Sequence, residues 1–217
     1  MNCGIMDQLI SASGVAGHAI LMDCRDFALR RVPLPPDTCV IVLDTSKRRG
    51  LVDSVYNERR RQCASAATVF GANALRDVQL EALEAEGRAL DPLTLRRARH
   101  VISENSRTLA AADAMAQGNV LHLGELMNQS HASLRDDFEV SCWELDIMVE
   151  CAQQQAGCFG ARMTGAGFGG CAIALVETRK ADDFVSNVRM AYERATGLTP
   201  SIYVCQPSAG AEEMRIG

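Results

Sequence analysis

Residues 162–175 read RMTGAGFGGCAIAL and join a glycine-rich loop to an apolar run. Four glycines fall within the six residues 165–170, a density that neither a helix nor a regular strand explains. Two interpretations stay open for this loop. It is either a nest of exposed backbone amides that can hold an anion or a tight β-hairpin whose glycines allow close packing. A dinucleotide-binding or Walker loop is disfavoured, because those glycines precede a helix whereas here the apolar run is typical of a strand.

The order of elements around this loop predicts an α+β protein. Strands come first, a block of helices follows, and a strand–strand–helix–strand unit closes the chain, so we expect helices packed on an antiparallel or mixed sheet. The predicted helices cover 4–15, 51–70, 78–87, 91–117, 119–135, 140–156 and 181–196. The predicted strands cover 18–23, 27–34, 39–44, 158–164, 170–178 and 201–205, the first two forming a hairpin.

Composition argues against several classes of partner and site. The chain has 217 residues, 47% of them hydrophobic, and a net charge of −5, which argues against nucleic acid as a partner. No signal peptide opens it and no apolar run approaches 18 residues, so we expect no membrane partner. Its nine cysteines form no CxxC pair, and several lie in apolar runs such as that around Cys39. This pattern predicts reduced thiols rather than a zinc site, and therefore a cytoplasmic protein.

Two further segments contain candidate functional residues. Asp7 lies in the first turn of the first predicted helix, where a carboxylate is favoured by the helix dipole alone. Its functional interpretation is a base that takes a proton from a substrate hydroxyl, with the small Gly4 letting a ligand approach the backbone. Tyr56 lies one helical turn from Arg59 and Arg60, either on a solvated basic face or as a contact to a substrate hydroxyl. The histidines have no metal-ligand spacing, and Trp143 and the methionines fit core helices.

Several of these segments together closely resemble galactokinases, which belong to the GHMP superfamily of small-molecule kinases. The resemblance runs from residue 2 to about 210 and rests on the order and spacing of six segments: CGIMDQLIS (3–11), HAILMDCR (18–25), SKRRGLVDSVYNERRRQC (46–63), ARHVISEN (98–105), SHASLRDDFEVSC (130–142) and RMTGAGFGGCAIAL (162–175).

The resemblance implies transfer of the γ-phosphoryl group of ATP to the anomeric hydroxyl of galactose, with Mg²⁺ as cofactor. It makes Asp7 the catalytic base, Gly4 with Cys3 the backbone contact to the sugar, and Tyr56 the sugar-binding tyrosine. It also places the third superfamily motif beside the phosphate site. The motif residues expected there are Thr164, Gly165, Gly167, Gly169 and Gly170.

Large parts of the family pattern are missing from this chain. It contains no GRxNLIGEHxDY-type sugar segment, no GxGLSSSA-type phosphate loop and no acidic magnesium ligand upstream of the base, so no metal ligand is expected here. The sequence therefore resembles the C-terminal half of a galactokinase, which is expected to be inactive alone. We expect self-association, or pairing with a missing N-terminal half. A non-catalytic galactokinase-like module that senses or binds sugar is the alternative.

The implied fold is the C-terminal part of a two-lobed GHMP kinase. We expect a ferredoxin-like β-α sandwich with a helical block, forming the C-terminal domain over residues 49–217. Residues 1–48 are expected to be a remnant of the N-terminal lobe, carrying the base helix and the hairpin.

Overall fold

The structure is a computed structural model and describes residues 5–48 and 52–211. Within these ranges the helices are α1 (Met6–Ser13), α2 (Val52–Val69), α3 (Leu80–Glu86), α4 (Pro92–Ala116), α5 (Val120–Asp136), α6 (Trp143–Gln153) and α7 (Ala181–Thr196). The strands are β1 (His18–Met22), β2 (Leu29–Pro33), β3 (Thr38–Asp44), β4 (Cys158–Met163), β5 (Cys171–Glu177) and β6 (Ser201–Cys205). Short 3₁₀ helices occupy Leu75–Asp77, Gly87–Ala89 and Thr178–Lys180.

The strands form two antiparallel sheets, which confirms the α+β class. Strands β1 and β2 make the predicted hairpin. The other four strands form one sheet in the order β4-β5-β3-β6. Strand β3 alternates between buried and half-buried residues, and its inward side chains Cys39, Ile41 and Leu43 lie in the main core. Helices α6 and α7 cover this sheet through side chains such as Met148 and Phe184.

A smaller core holds the helical block together. Ala66 of α2 packs with Leu83 of α3 and with Ala98 and Ile102 of α4. Helix α4 begins within one residue of the predicted start at 91, because the Asp91 carboxylate caps it by accepting hydrogen bonds from the Leu93 and Thr94 amides and Pro92 suits its first position. No helix within the described residues has both the length and the apolarity needed to cross a membrane.

Two expectations about helical residues were wrong. The helix predicted over 140–156 begins only at Trp143, because Val140 is buried beneath the glycine loop and Cys142 has an extended backbone. Trp143 is not a core residue: it is 56% exposed at the first position of α6. The single tryptophan therefore lies on the surface. The expectation for the methionines holds for Met148 of α6, which is buried, but was wrong for Met6 and Met190, which are exposed on their helices.

The proposed boundary at residue 48 separates a strand from its neighbours. Strand β3, assigned to the N-terminal remnant, pairs with both β5 and β6 in the centre of the four-stranded sheet. A domain boundary that leaves the four-stranded sheet intact therefore has to lie before Thr38, the first residue of β3. The assignment of residues 1–48 and 49–217 to two lobes stays a prediction.

Candidate functional site

The glycine loop, residues 164–170, connects β4 to β5 in a hairpin with an unusual backbone. Gly165, Gly167, Gly169 and Gly170 all have positive φ, between 77° and 123°, and Phe168 has a φ of 60°. Glycine adopts this left-handed region at no steric cost, whereas an L side chain is strained there. The glycine density is therefore explained by the hairpin's backbone path.

Backbone contacts hold this loop against two neighbouring segments. The Phe168 amide donates to the Val140 carbonyl at 2.8 Å, and the Gly170 amide donates to the Lys47 carbonyl at 3.2 Å. A Cβ at Gly167 would lie 1.9 Å from the Val140 oxygen, and one at Gly169 would lie 2.8 Å from the Lys47 oxygen. Both positions therefore require glycine for close backbone approach as well as for conformation.

Four amides of the loop are not used by these contacts. Within the described residues, no hydrogen-bond acceptor lies on the amides of Gly165, Ala166, Gly167 and Gly169. Consecutive backbone N–H groups in such a turn can form an anion-binding concavity. The hairpin and the nest are therefore compatible, because the loop is a tight hairpin that still has donors available for a ligand.

Asp7 lies on a helix that is almost entirely exposed. None of the α1 residues is buried, and Asp7 contributes its backbone carbonyl to a hydrogen bond from Ser11 Oγ at 2.8 Å. Its carboxylate has no hydrogen bond or ion pair within the described residues. Residues near the C-terminus hold α1 in place, since the Gly210 amide donates to the Gly14 carbonyl at 2.8 Å. Cys3 and Gly4 lie outside the described residues.

Tyr56 is half-buried on α2 and lies one helical turn before Arg59, which is buried although a basic surface residue was one expectation. Arg59 is buried, and its Nε donates to the Phe138 carbonyl at 2.7 Å while Nη2 donates to the Glu139 carbonyl at 3.2 Å. Burial, followed by the neighbouring Arg97 charge, lowers the pKa of Arg59. The solvated-face interpretation was therefore wrong for Arg59, although Arg60 is exposed.

Arg97 supports the same segment from α4. Its side chain is 1% exposed, and Nη2 donates to Glu139 Oε2 at 2.6 Å while Nη1 donates to the Asp137 carbonyl. The hydrogen bond from Arg97 lowers the pKa of Glu139. Arg59 and Arg97 thus hold residues 137–139, and the next residue, Val140, holds the glycine loop. The sequence predicted this structural role for neither arginine: Arg59 was considered only as part of the basic face beside Tyr56, and Arg97 lies among other arginines that look alike.

The site residues are not joined by direct contacts within the described part of the chain. No hydrogen bond or ion pair there links Asp7, Tyr56 and the glycine loop. Residues 5–48 and 52–211 also contain no group of three or more His, Cys, Asp or Glu side chains that could hold a metal ion. Their cysteines lie partly in cores, and burial raises the pKa of Cys63 and of Cys158 to about 11.

Comparison with known proteins finds similarity to GHMP kinases and to galactokinases. The family model described as "GHMP kinases C terminal" matches residues 111–194. A curated galactokinase from Roseiflexus sp. (strain RS-1) is 48% identical over 215 residues, which cover 97% of this chain and 55% of that protein. The chain therefore spans a little more than half the length of this relative.

Solved structures show the same relationship. The galactokinase of Lactococcus lactis, crystallised with galactose, superposes with a TM-score of 0.93 at 40% identity. The match covers 99% of this chain and 57% of that one. The L. major mevalonate kinase in complex with R-mevalonate has a TM-score of 0.57 at 21% identity, covering 89% and 50% of the two chains. That second likeness concerns the fold alone.

Proposed function

We propose that this chain supplies part of the active site of an ATP-dependent galactokinase, because residues 111–194 match the GHMP kinase C-terminal model and the chain is 48% identical to a curated galactokinase. The reaction is transfer of the γ-phosphoryl group to the anomeric hydroxyl of galactose. The observation that carries this proposal is the similarity to galactokinases over 97% of the chain. The phosphate-binding and magnesium-binding segments of the complete enzyme are absent from this sequence.

In this reaction Asp7 is the base. Its carboxylate is exposed and has no partner within the described residues, so it is available to accept a proton. The proton of the anomeric hydroxyl passes to Asp7, and the freed oxygen bonds to the γ-phosphorus. The bond from that phosphorus to the bridging oxygen then breaks and releases ADP. A positioned base contributes roughly 10²–10⁴-fold to such a step.

The sugar and the phosphates have separate contacts on this chain. Tyr56 binds the sugar through its hydroxyl, which makes no hydrogen bond within the described residues, and Cys3 and Gly4 contact the sugar through the backbone. The unpaired amides of the glycine loop, in the segment Thr164–Gly170, donate to phosphate oxygens. Phosphoryl transfer depends mainly on such positioning and charge neutralisation, and Mg²⁺ supplies the remaining positive charge when bound.

The isolated chain is expected to lack turnover and to associate through α1. Ile5, Met6 and Ile10 are all exposed on or beside this short helix, although large apolar side chains are usually covered. In the complete enzyme an N-terminal half covers them, and alone they favour self-association. A single monomeric mass in light scattering over a wide concentration range would contradict this expectation. A cytoplasmic location is part of this proposal, and the free cysteines among the described residues are consistent with it.

An ADP-release assay with galactose tests the proposed function. The chain is measured alone and after co-expression with the part of the Roseiflexus galactokinase that lies outside the match. We expect no turnover alone, galactose-dependent ADP release with the added half, and loss of that release in Asp7→Asn. Asp183→Asn is the matched control, since Asp183 is also an exposed carboxylate in the first turn of a helix.

The outcomes separate the two candidate functions. Undiminished ADP release by Asp7→Asn would rule out Asp7 as the base. Binding of galactose without ADP release by the complemented protein would instead support the sugar-sensing alternative.

A further inference from the structure

Side chains of helix α5 accept hydrogen bonds from the outer edge of strand β4. Strand β4 is an edge strand, so the amides on its outer side have no neighbouring strand to accept their hydrogen bonds. Instead, the Ala161 amide donates to Asn128 Oδ1 at 2.9 Å, and the Met163 amide donates to His131 Nδ1 at 3.3 Å. The two acceptors are three residues apart on α5, and the two donors are alternate residues of β4. Side chains of α5 therefore replace a missing strand.

Two glycines let the helix approach closely enough for these bonds. A Cβ at Gly124 of α5 would lie 2.0 Å from the Phe159 carbonyl oxygen, and a Cβ at Gly160 of β4 would lie 2.2 Å from the Gly124 oxygen. Gly124, Asn128 and His131 have the i, i+4, i+7 spacing of one helix face. This face lies directly on the edge of β4.

His131 is held in one tautomer by this contact. The side chain is 5% exposed, and because a backbone amide can only donate, Nδ1 is the acceptor and the ring proton lies on Nε2. The Asp146 carboxylate of α6 lies 3.4 Å from Nε2 and accepts a hydrogen bond from Ser141 Oγ at 2.5 Å. Nε2 itself makes no hydrogen bond within the described residues.

The carbonyl of Met163 is held from the other side. Arg162 Nε donates to it at 3.1 Å, and Arg162 Nη1 donates to Glu104 Oε1 of α4 at 3.2 Å. Burial raises the pKa of Glu104, but hydrogen bonds from Ser130 and Arg107, together with the charges of Arg162 and Arg107, lower it overall. Both polar groups of Met163 are therefore held by side chains.

We propose that His131 is a positioning residue for the glycine loop, acting through the Met163 amide. Met163 is the last residue of β4 and directly precedes Thr164, so the orientation of its peptide groups sets the direction in which the loop leaves the sheet. The role of the loop in holding nucleotide phosphates rests on the proposed function. The positioning of the loop by His131 does not, because it follows from the contacts of the chain itself.

The test compares two variants in the isolated chain by NMR, without nucleotide or sugar. In His131→Asn, Oδ1 has the same place along the side chain as Nδ1 and keeps the acceptor, whereas His131→Leu removes it. We expect the Met163 amide to exchange roughly tenfold faster or more in His131→Leu than in His131→Asn. The amide signals of Gly165, Gly167 and Gly169 should shift in His131→Leu alone, while that of the remote Gly197 stays in place in both variants.

Three results would overturn the proposal. They are equal exchange of Met163 in the two variants, unchanged loop signals in His131→Leu, and a shift of Gly197 as large as that of the loop. A measurement on the unaltered chain covers the case in which His131→Leu does not fold. Nitrogen NMR of His131 should show a proton on Nε2, and a proton on Nδ1 at neutral pH would overturn the assignment.

A separate kinetic measurement distinguishes a failure of this inference from a failure of the proposed function. In the complemented enzyme, His131→Leu should raise the KM for ATP more than the KM for galactose, and His131→Asn should restore it. If the NMR results hold and the KM for ATP does not change, the loop is positioned by His131 but does not hold the phosphates.

Discussion

Helix α1 and the glycine loop carry the two most informative motifs of the sequence, but they differ in burial and in how they contact the rest of the fold. No residue of α1 is buried, and Asp7 has no side-chain partner within the described residues. In the loop, Gly167 and Gly169 are buried, and backbone contacts hold it to Val140 and Lys47. The comparison shows that a motif that is highly specific in sequence is not necessarily well packed in the fold.

The difference has a physical origin. An isolated helix shorter than about 12–15 residues is marginal in water, and α1 has eight. It therefore depends on contacts such as the hydrogen bond from the Ala211 amide to the Ser11 carbonyl at 2.7 Å. The loop instead continues two paired strands of the four-stranded sheet, so its stability comes from the main core.

The largest effect is expected where the loop meets Val140. Gly167→Ala should lower the free energy of unfolding by about 3 kcal/mol or more, because its Cβ would overlap the Val140 oxygen and φ is 83°. Gly197→Ala is the matched control, with a φ of 72° and nothing within 4 Å of the added atom. It should cost only about 1–2 kcal/mol. Urea unfolding measures both, and equal losses would show that close packing of the loop is unimportant.

A pH-dependent loss of stability is expected in the helical block that supports the loop. Burial lowers the pKa of His100 from 6.5 to about 4. Between these values the unfolded chain binds a proton that the folded chain does not, so stability falls as the pH drops from 6.5 to 4, by about 3 kcal/mol in total. His100→Asn should remove this slope, whereas the exposed control His122→Asn should retain it. A slope unchanged in His100→Asn would assign it to other groups.

A smaller effect is expected at the segment that joins α2 to the loop. Arg59→Met removes the hydrogen bonds to the Phe138 and Glu139 carbonyls and should cost about 2 kcal/mol. Arg60→Met, its exposed neighbour on the same helix, should change stability by no more than about 0.5 kcal/mol. Thermal unfolding of the two variants side by side measures the difference. Equal stability of both would show that buried Arg59 contributes no more than a surface arginine.

The smallest effect on stability is expected at Asp7. Asp7→Asn should change the free energy of unfolding by less than about 0.5 kcal/mol, because the side chain is exposed and unpaired within the described residues. In the complemented enzyme the same substitution should abolish ADP release. A stability loss comparable to that of Arg59→Met would mean that α1 is more tightly packed than its exposure indicates.

Much of the fold was predictable because local patterns and tertiary contacts agree. The helix predicted over 91–117 matches α4 to within one residue at each end. Local rules failed where a neighbouring segment decides the backbone, as at Val140, which accepts a bond from the loop instead of starting a helix. They also failed for Trp143, since apolar character alone does not place a residue in a core.

The candidate site was predictable only in part. Asp7, Tyr56 and the glycines were chosen from short motifs, and their roles stay predictions. The contacts of Arg59, Arg97 and His131 could not be predicted, because their partners lie on other elements, tens of residues away.

By itself the sequence determined the order of elements, the α+β class, the glycine positions and the resemblance to one half of a two-lobed kinase. These follow from periodicity, glycine conformation and motif order, which are properties of neighbouring residues. Only the tertiary structure decided that β3 lies in the centre of the sheet, that α5 covers the edge of β4, and which arginines are buried. Burial and hydrogen bonding between distant residues depend on how elements pack, and packing is not encoded in any single stretch of the chain.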